Sequence, residues 1–120
     1  MTVKELYDSI GGDYQKAIAT MMMDAFIIRM LTKFIEKNNY QEIVDAYKDN
    51  NFRGVFEGSH SLKGVAGNLA LTPLFEKSSH ICELTRHLSD SEHVNLDSDM
   101  EELKNIYEGI IQKISELIKK

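Results

Sequence analysis

Apolar residues recur at spacings of three and four along most of the chain, which is the pattern of helices that bury one face. No segment shows the strict alternation of a strand, and one proline and seven glycines leave long uninterrupted stretches. The pattern therefore predicts an all-α protein. The predicted helices span residues 13–22, 24–37, 52–71 and 73–88, with another starting near residue 40 and a last one near residue 98.

Turn and cap signals separate the helices of the first half. A glycine pair at 11–12 interrupts the chain, and the Asp13 side chain is placed to cap the helix that follows. Residues 1–10 are interpreted only as a short N-terminal segment. The asparagine pair at 38–39 favours a turn, and the apolar residues after it lie on a different helical phase. We therefore expect two helices here rather than one long rod.

Two further cap signals lie in the second half. Thr72 is predicted to cap a helix whose first residue is Pro73. Ser98 and Glu101 have the spacing of a capping box. In this motif each side chain accepts a hydrogen bond from the backbone N–H of the other residue. The polar residues 89–97 between these helices are predicted to form a loop.

Short connections between helices of similar length favour antiparallel neighbours. The predicted fold is therefore an antiparallel four-helix bundle with an additional short N-terminal helix. No repeat, low-complexity tract or linker divides the chain, so residues 1–120 are expected to form a single domain. The methionines at 21–23 are interpreted as core packing at a helix end.

Charge and cysteine content narrow the functional classes. The chain has 14 Lys+Arg against 19 Asp+Glu and a net charge of -5, which argues against nucleic acid as the main partner, because that affinity comes mostly from neutralised phosphates. Cys82 is the single cysteine, so neither an intramolecular disulfide nor a cysteine zinc cluster can form, and it is expected to be buried. Charges also interrupt every apolar stretch before the ~20 residues that span a membrane. We expect a cytoplasmic protein without a signal peptide or membrane segment.

The helix predicted over residues 52–71 carries the candidate chemistry. With successive residues about 100° apart, His60 lies opposite an apolar side formed by Val55, Gly58, Leu62, Val65, Ala66 and Leu69. The histidine is therefore expected to point away from the core. Its neighbours, within about 60° on the helix, are Arg53, Phe56, Glu57, Lys63, Gly64 and Gly67.

Two of these neighbours are glycines in a helix interior, Gly64 and Gly67. Each costs ~0.5–1 kcal/mol relative to alanine, so their presence needs a reason. Glycines that let helices of one protein pack closely are expected on the apolar side, whereas these lie on the side of His60. We therefore expect an external partner to approach the backbone here.

The other neighbours of the histidine are aromatic or charged. Phe56 leaves two interpretations open, packing against a neighbouring helix or an apolar anchor for a partner. Arg53 and Glu57 are expected to flank the site and to tune partner choice through their charge. With Lys63 and Arg53 beside His60, an acidic chain is predicted to keep a locally cationic surface.

An exposed histidine suits covalent phosphoryl transfer. Imidazole, with a usual pKa of ~6.5, is largely neutral at pH 7 and can attack phosphorus without a separate general base. Lys63, one turn after His60, can place a cation beside the phosphoryl oxygens. The sequence contains no Gly-rich phosphate loop and no obvious carboxylate cluster for Mg²⁺, so a partner is expected to supply them.

The run from Ser59 to Leu69, S-H-S-L-K-G-V-A-G-N-L, resembles the H-x-L-K-G-x-x-x-N-L signature of histidine-containing phosphotransfer (HPt) domains of bacterial phosphorelays. The surrounding pattern, over residues 26–88, is also similar. The chain departs from the family at two positions, with Ser59 where alanine is usual and Ala70 where glycine is usual.

This resemblance implies a phosphoryl carrier in a two-component system, without catalytic activity of its own. His60 would accept the group from an aspartyl phosphate of a response-regulator receiver domain and pass it to another receiver, in a relay fed by a hybrid sensor histidine kinase. Lys63 would interact with the phosphate and Gly64 would leave room for the docking receiver. The receiver would supply Mg²⁺, so no cofactor is expected on this chain.

Two alternatives remain open. One is a metal-binding bundle, which needs a Glu-x-x-His motif on each of two helices, all pointing inward. Only Glu57 and His60 form this motif, and His60 points outward; a second polar stripe consists of Glu76, His80, Glu83 and His87. The other alternative is a helical interaction module that docks a kinase or receiver without carrying phosphate.

Overall fold

The computed structural model describes residues 1–37, 39–88, 92 and 94–119. Every regular element in these residues is a helix, which confirms the predicted all-α class. The helices are α1 (Val3–Ile10), α2 (Tyr14–Met21), α3 (Asp24–Glu36), α4 (Asn39–Lys48), α5 (Phe52–Asn68), α6 (Thr72–Thr85) and α7 (Asp97–Ile118). The predicted turn residue Asn38 and part of the predicted loop over 89–97 lie outside the described residues.

The short N-terminal segment, to which the pattern assigned no helix of its own, forms α1. Thr2 and Glu5 form a capping box at its start: the Glu5 N–H donates to the Thr2 hydroxyl at 3.1 Å, and the Thr2 N–H donates to the Glu5 carboxylate at 2.8 Å. Gly11, with φ +71°, ends α1. The predicted cap of α2 is confirmed, because the Asp13 carboxylate accepts from the Lys16 N–H at 3.0 Å.

The breaks before α4 and at both ends of α5 follow local backbone conformation. Lys37 is extended, with ψ 146°, so α3 and α4 are separate helices as predicted. The Asn51 side chain caps α5 by accepting from the Gly54 N–H at 2.9 Å. This helix ends at Asn68, earlier than predicted, because Ala70 turns the chain with φ +55°.

The two helix starts predicted in the second half are wrong in detail. Leu71 is the cap residue of α6, and Thr72 and Pro73 are its first two residues. The helix ends at Thr85 rather than near residue 88. A proline is tolerated at either of the first two positions because N–H groups in the first turn have no helical partner.

The predicted capping box at Ser98 does not form, because α7 begins earlier, at Asp97. The Tyr47 hydroxyl takes its place: it accepts from the Leu96 N–H at 2.8 Å and donates to the Asp97 carboxylate at 2.6 Å. A residue from α4 therefore holds the start of α7. The helix is tied to α6 as well, because the Lys77 ammonium lies 2.7 Å from the Asp99 carboxylate.

All seven described helices contribute apolar side chains to the core. Tyr7 of α1 is fully buried, and its hydroxyl donates to the Leu69 carbonyl at the end of α5, at 2.7 Å. The Cys82 side chain is buried as predicted. Met21 is buried, but Met22 and Met23 are 78% and 59% exposed, so the core-packing interpretation is wrong for them. Within the described ranges, no helix combines the length and apolar character needed to cross a bilayer.

Candidate functional site

His60 lies in the middle of α5 and is exposed, as its helical position predicts. The opposite side of the helix is buried, including Val55, Leu62 and Ala66. The burial of that side fixes the direction in which the imidazole points, because the α-helix repeats every 3.6 residues. The site is therefore built on a rigid helix rather than on a loop.

The neighbours of His60 divide between two flanking helices. Phe56 and Gly67 face α6, where they contact Arg86 and Phe75 respectively. Glu57 instead faces α4, with which it lines a polar groove. That groove is lined by Glu42, Asp45, Ala46, Asp49, Asn51, Arg53, Gly54, Glu57, Gly58 and Ser61.

Phe56 is the side chain in ring contact with the histidine. The two rings are nearly parallel, with an angle of 19° between their planes and 5.9 Å between their centroids. The other contact of Phe56 is with Arg86 of α6, whose guanidinium carbon lies 5.5 Å from the ring centroid, a cation–π geometry. Phe56 is thus half-buried between the histidine and a cation, and it packs against the neighbouring helix through that cation.

Arg86 is held by a carboxylate of its own helix. Its Nη2 lies 2.6 Å from Oε1 of Glu83, and its Nε lies 3.3 Å from Oε2. The hydrogen bond and charge of Arg86 lower the pKa of Glu83, with smaller contributions from Lys63 and His87. Glu83 therefore feels the field of both cations on this side of His60.

Neither Glu83 nor Arg86 was predicted to be a site residue. Their spacing of three on one helix marks them as a surface ion pair, but nothing in it says which helix they face. Only the packing of α6 against α5 brings them beside Phe56 and Lys63.

The two glycines of the site have different surroundings. A Cβ added to Gly64 would meet no atom within 4 Å, so the backbone there is open to an approaching molecule. A Cβ added to Gly67 would lie 3.1 Å from Cδ1 of Phe75. Gly67 therefore makes room for a side chain of α6, and the expectation that it makes room for an external partner is not what the structure shows.

The charges around His60 are more balanced than predicted. Arg53 pairs with Glu57, with 3.2 Å between Nε and Oε1, and both side chains are largely exposed. Lys63 is the cation next to the histidine along the helix, and within the described part of the chain it forms no ion pair.

An exposed apolar surface lies where α2 meets α3. It consists of Met22, Met23 and Phe26, of which Phe26 is 42% exposed. Phe26 also lines a groove of about 610 Å³ that reaches Val65 and Asn68 on α5. The apolar surface is therefore continuous with the C-terminal half of the helix that carries His60.

The polar stripe on α6 gives no metal cluster in the described residues: no three His, Cys, Asp or Glu side chains there are grouped to hold an ion. His80 instead lies 3.4 Å from the Asp99 carboxylate, between Nε2 and Oδ1, while His93 lies outside the described residues.

Comparison of the chain with protein-family models, curated proteins and solved structures found no match.

Proposed function

We propose that the chain is a histidine phosphotransfer domain, which carries a phosphoryl group on His60 between receiver domains of a phosphorelay. The observation that carries this proposal is the surface of α5, where an exposed imidazole stands between the Lys63 cation and the bare backbone at Gly64. An enzyme site would need further groups around the histidine, whereas a carrier needs access for its partners.

The finer description of the fold belongs to the same proposal. We infer an antiparallel four-helix bundle of α5, α6, α7 and a fourth arm that α3 and α4 share in succession, since α5 packs on α4 and α6 and α7 packs on α3 and α6. The short α1 and α2 are then additions at the N terminus. Ala70 adds support, because its φ of +55° lies in the region that favours glycine, the usual residue of the resembled family at this position.

The chemistry is a reversible transfer between nitrogen and oxygen. The unprotonated ring nitrogen of neutral His60 forms a bond to phosphorus while the bond from phosphorus to the aspartate oxygen of the receiver breaks, and its electron pair returns to that carboxylate. The phosphorylated ring then releases the proton on its other nitrogen to solvent. Lys63 stabilises the negative charge on the equatorial oxygens, and a Mg²⁺ ion held by the receiver would supply further positive charge.

Two surfaces of the chain are available to a docking receiver. Gly64 has no neighbouring side chain, so the receiver backbone can approach the helix beside His60. The exposed Met22, Met23 and Phe26 offer apolar area near the same helix, and methionine adapts its shape to different partners. Receivers of different sequence could share one docking site for this reason.

The test is to incubate the protein with a phosphorylated receiver domain and to look for a phosphate that is labile in acid and stable in base. We expect the label on wild-type protein, its loss in His60→Gln, and its retention in His87→Gln, which removes another exposed histidine. Labelling that survives His60→Gln would contradict the proposal. A receiver that binds without labelling the protein would instead favour the interaction module.

A further inference from the structure

Glu83 of α6 lies one residue beyond the position opposite His60 of α5. The two helices are antiparallel, and two contacts fix their register: Gly67 faces Phe75, and Phe56 faces Arg86. Phe56 and Gly67 are as far apart along the sequence as Phe75 and Arg86. Counting from either contact places Cys82 opposite His60, and Glu83 is the next residue.

Of that pair, only Glu83 can reach the site. Cys82 is fully buried, whereas the Glu83 side chain is 62% exposed at the edge of α5. Its carboxylate makes a two-point contact with the Arg86 guanidinium, which itself rests on the ring of Phe56. Lys63 acts on the same carboxylate through its charge. Glu83 therefore pairs with Arg86 and offsets part of the charge of Lys63.

We propose that Glu83 is the counter-ion of Arg86 and Lys63 while His60 is unphosphorylated, and that the phosphoryl group displaces it. This exchange rests on the proposed function, because it needs phosphate on His60. No bond to Glu83 is made or broken; the carboxylate turns out to solvent, where its exposure already lets it be hydrated.

A phosphoryl group is the stronger ligand for these cations. It carries about two negative charges at pH 7 and three acceptor oxygens, against one charge and two oxygens for a carboxylate. The planar guanidinium binds carboxylate and phosphate with the same two-point geometry. Arg86 can thus change partners while it stays on Phe56, which also stacks on His60.

The competition has a consequence for the carrier. Glu83 stabilises the unphosphorylated state by pairing with cations that the phosphoryl group would otherwise hold alone. It therefore limits the stability of the phosphorylated state, so that the phosphoryl group can be passed on to a receiver.

The experiment labels His60 chemically with phosphoramidate, so that no receiver is needed. Attack of the ring nitrogen on phosphorus breaks the P–N bond of phosphoramidate, and ammonia leaves. In labelled protein, the phosphoryl pKa is measured by phosphorus NMR titration for wild type and Glu83→Gln. Without the competing carboxylate, the cations should lower the pKa of the phosphoryl group by about 0.2 to 0.7 relative to wild type.

The matched control is Glu76→Gln, which removes the same charge from an exposed position of α6 that forms no ion pair within the described residues. It should leave the phosphoryl pKa within error of wild type. A second readout is the Arg86 Nε–H resonance, which should shift when His60 is labelled and stay in place in mock-treated His60→Gln.

Three results would overturn the exchange: equal phosphoryl pKa values in wild type and Glu83→Gln, an Arg86 resonance that labelling does not move, or failure of phosphoramidate to label His60. Failure of the proposed function looks different. In that case a phosphorylated receiver leaves His60 unlabelled, while the readouts on chemically labelled protein still decide the role of Glu83.

Discussion

The imidazole of His60 stacks on the phenyl ring of Phe56, with 5.9 Å between the centroids. The stack holds the imidazole in one orientation, and aromatic pairs of this kind contribute about 0.5–1.5 kcal/mol. We expect Phe56→Leu to slow phosphoryl transfer from a receiver about threefold to tenfold. Single-turnover rates with a phosphorylated receiver measure the effect.

The control for the ring is Leu84→Ala, which removes exposed apolar area from α6 without an aromatic contact. It should transfer at the wild-type rate. Equal rates for Phe56→Leu and wild type would show that the stack does not orient the histidine.

Gly64 and Gly109 form a natural pair for comparison. Both lie inside helices, and a Cβ added at either would meet no atom within 4 Å. Replacement by alanine should therefore raise the free energy of unfolding by ~0.5–1 kcal/mol at both positions. Leucine at position 64 should slow transfer roughly tenfold or more because the receiver can no longer close over His60, whereas leucine at position 109 should not.

Urea denaturation measures the stability part of this prediction, and single-turnover labelling measures the transfer part. If Gly64→Leu transferred as fast as Gly109→Leu, the receiver would not approach α5 at this point.

The Lys63 cation is expected to act on the phosphoryl group and not on the fold. Lys63→Ala should reduce the transfer rate about tenfold, since a charge that stabilises the transition state is lost. Its melting temperature should stay close to wild type, because within the described residues Lys63 forms no ion pair. Lys104→Ala, from the exposed side of α7, is the control that loses the same charge elsewhere. A large stability loss with normal transfer would assign Lys63 a structural role instead.

Because of Tyr7, the free energy of unfolding should depend on pH in the alkaline range. Burial raises its pKa above the usual value of 10.0, so the folded protein keeps the phenol proton at a pH where the unfolded chain loses it. Its contribution to stability is complete below pH 10 and declines as pH rises above that value. Urea denaturation between pH 8 and pH 11.5 should show this decline.

Tyr7→Phe should flatten the alkaline decline. At pH 7 the same variant should lose about 1–2 kcal/mol, because the buried Leu69 carbonyl loses its donor. A variant with wild-type stability at pH 7 and an unchanged slope above pH 10 would refute both effects.

The helical class and most helix positions could be predicted, because apolar periodicity reports directly on which faces are buried. Cap patterns are less informative, since a capping box is only one of several ways to satisfy the first N–H groups of a helix. Thr2 and Glu5 form a box that was not considered. Ser98 and Glu101 have the same pattern and form none, because α7 already begins at Asp97, where Tyr47 holds the N–H of Leu96.

Some residues of the candidate site could be predicted from local geometry and others could not. His60, Lys63 and Gly64 share one helix, so helical geometry alone places them together. Glu83 and Arg86 come from another helix, and their position depends on the register of packing between helices. That register is set by many side-chain contacts, among them Phe75 on Gly67, which no local pattern reports.

The Tyr47 hydroxyl bears on how the chain folds. It accepts from the N–H of Leu96, 49 residues later in the chain, so a distant residue stabilises the start of the C-terminal helix. The full stability of α7 then depends on α4, which couples two distant parts of the chain in one cooperative transition. A probe at either end of the molecule should therefore report the same unfolding midpoint.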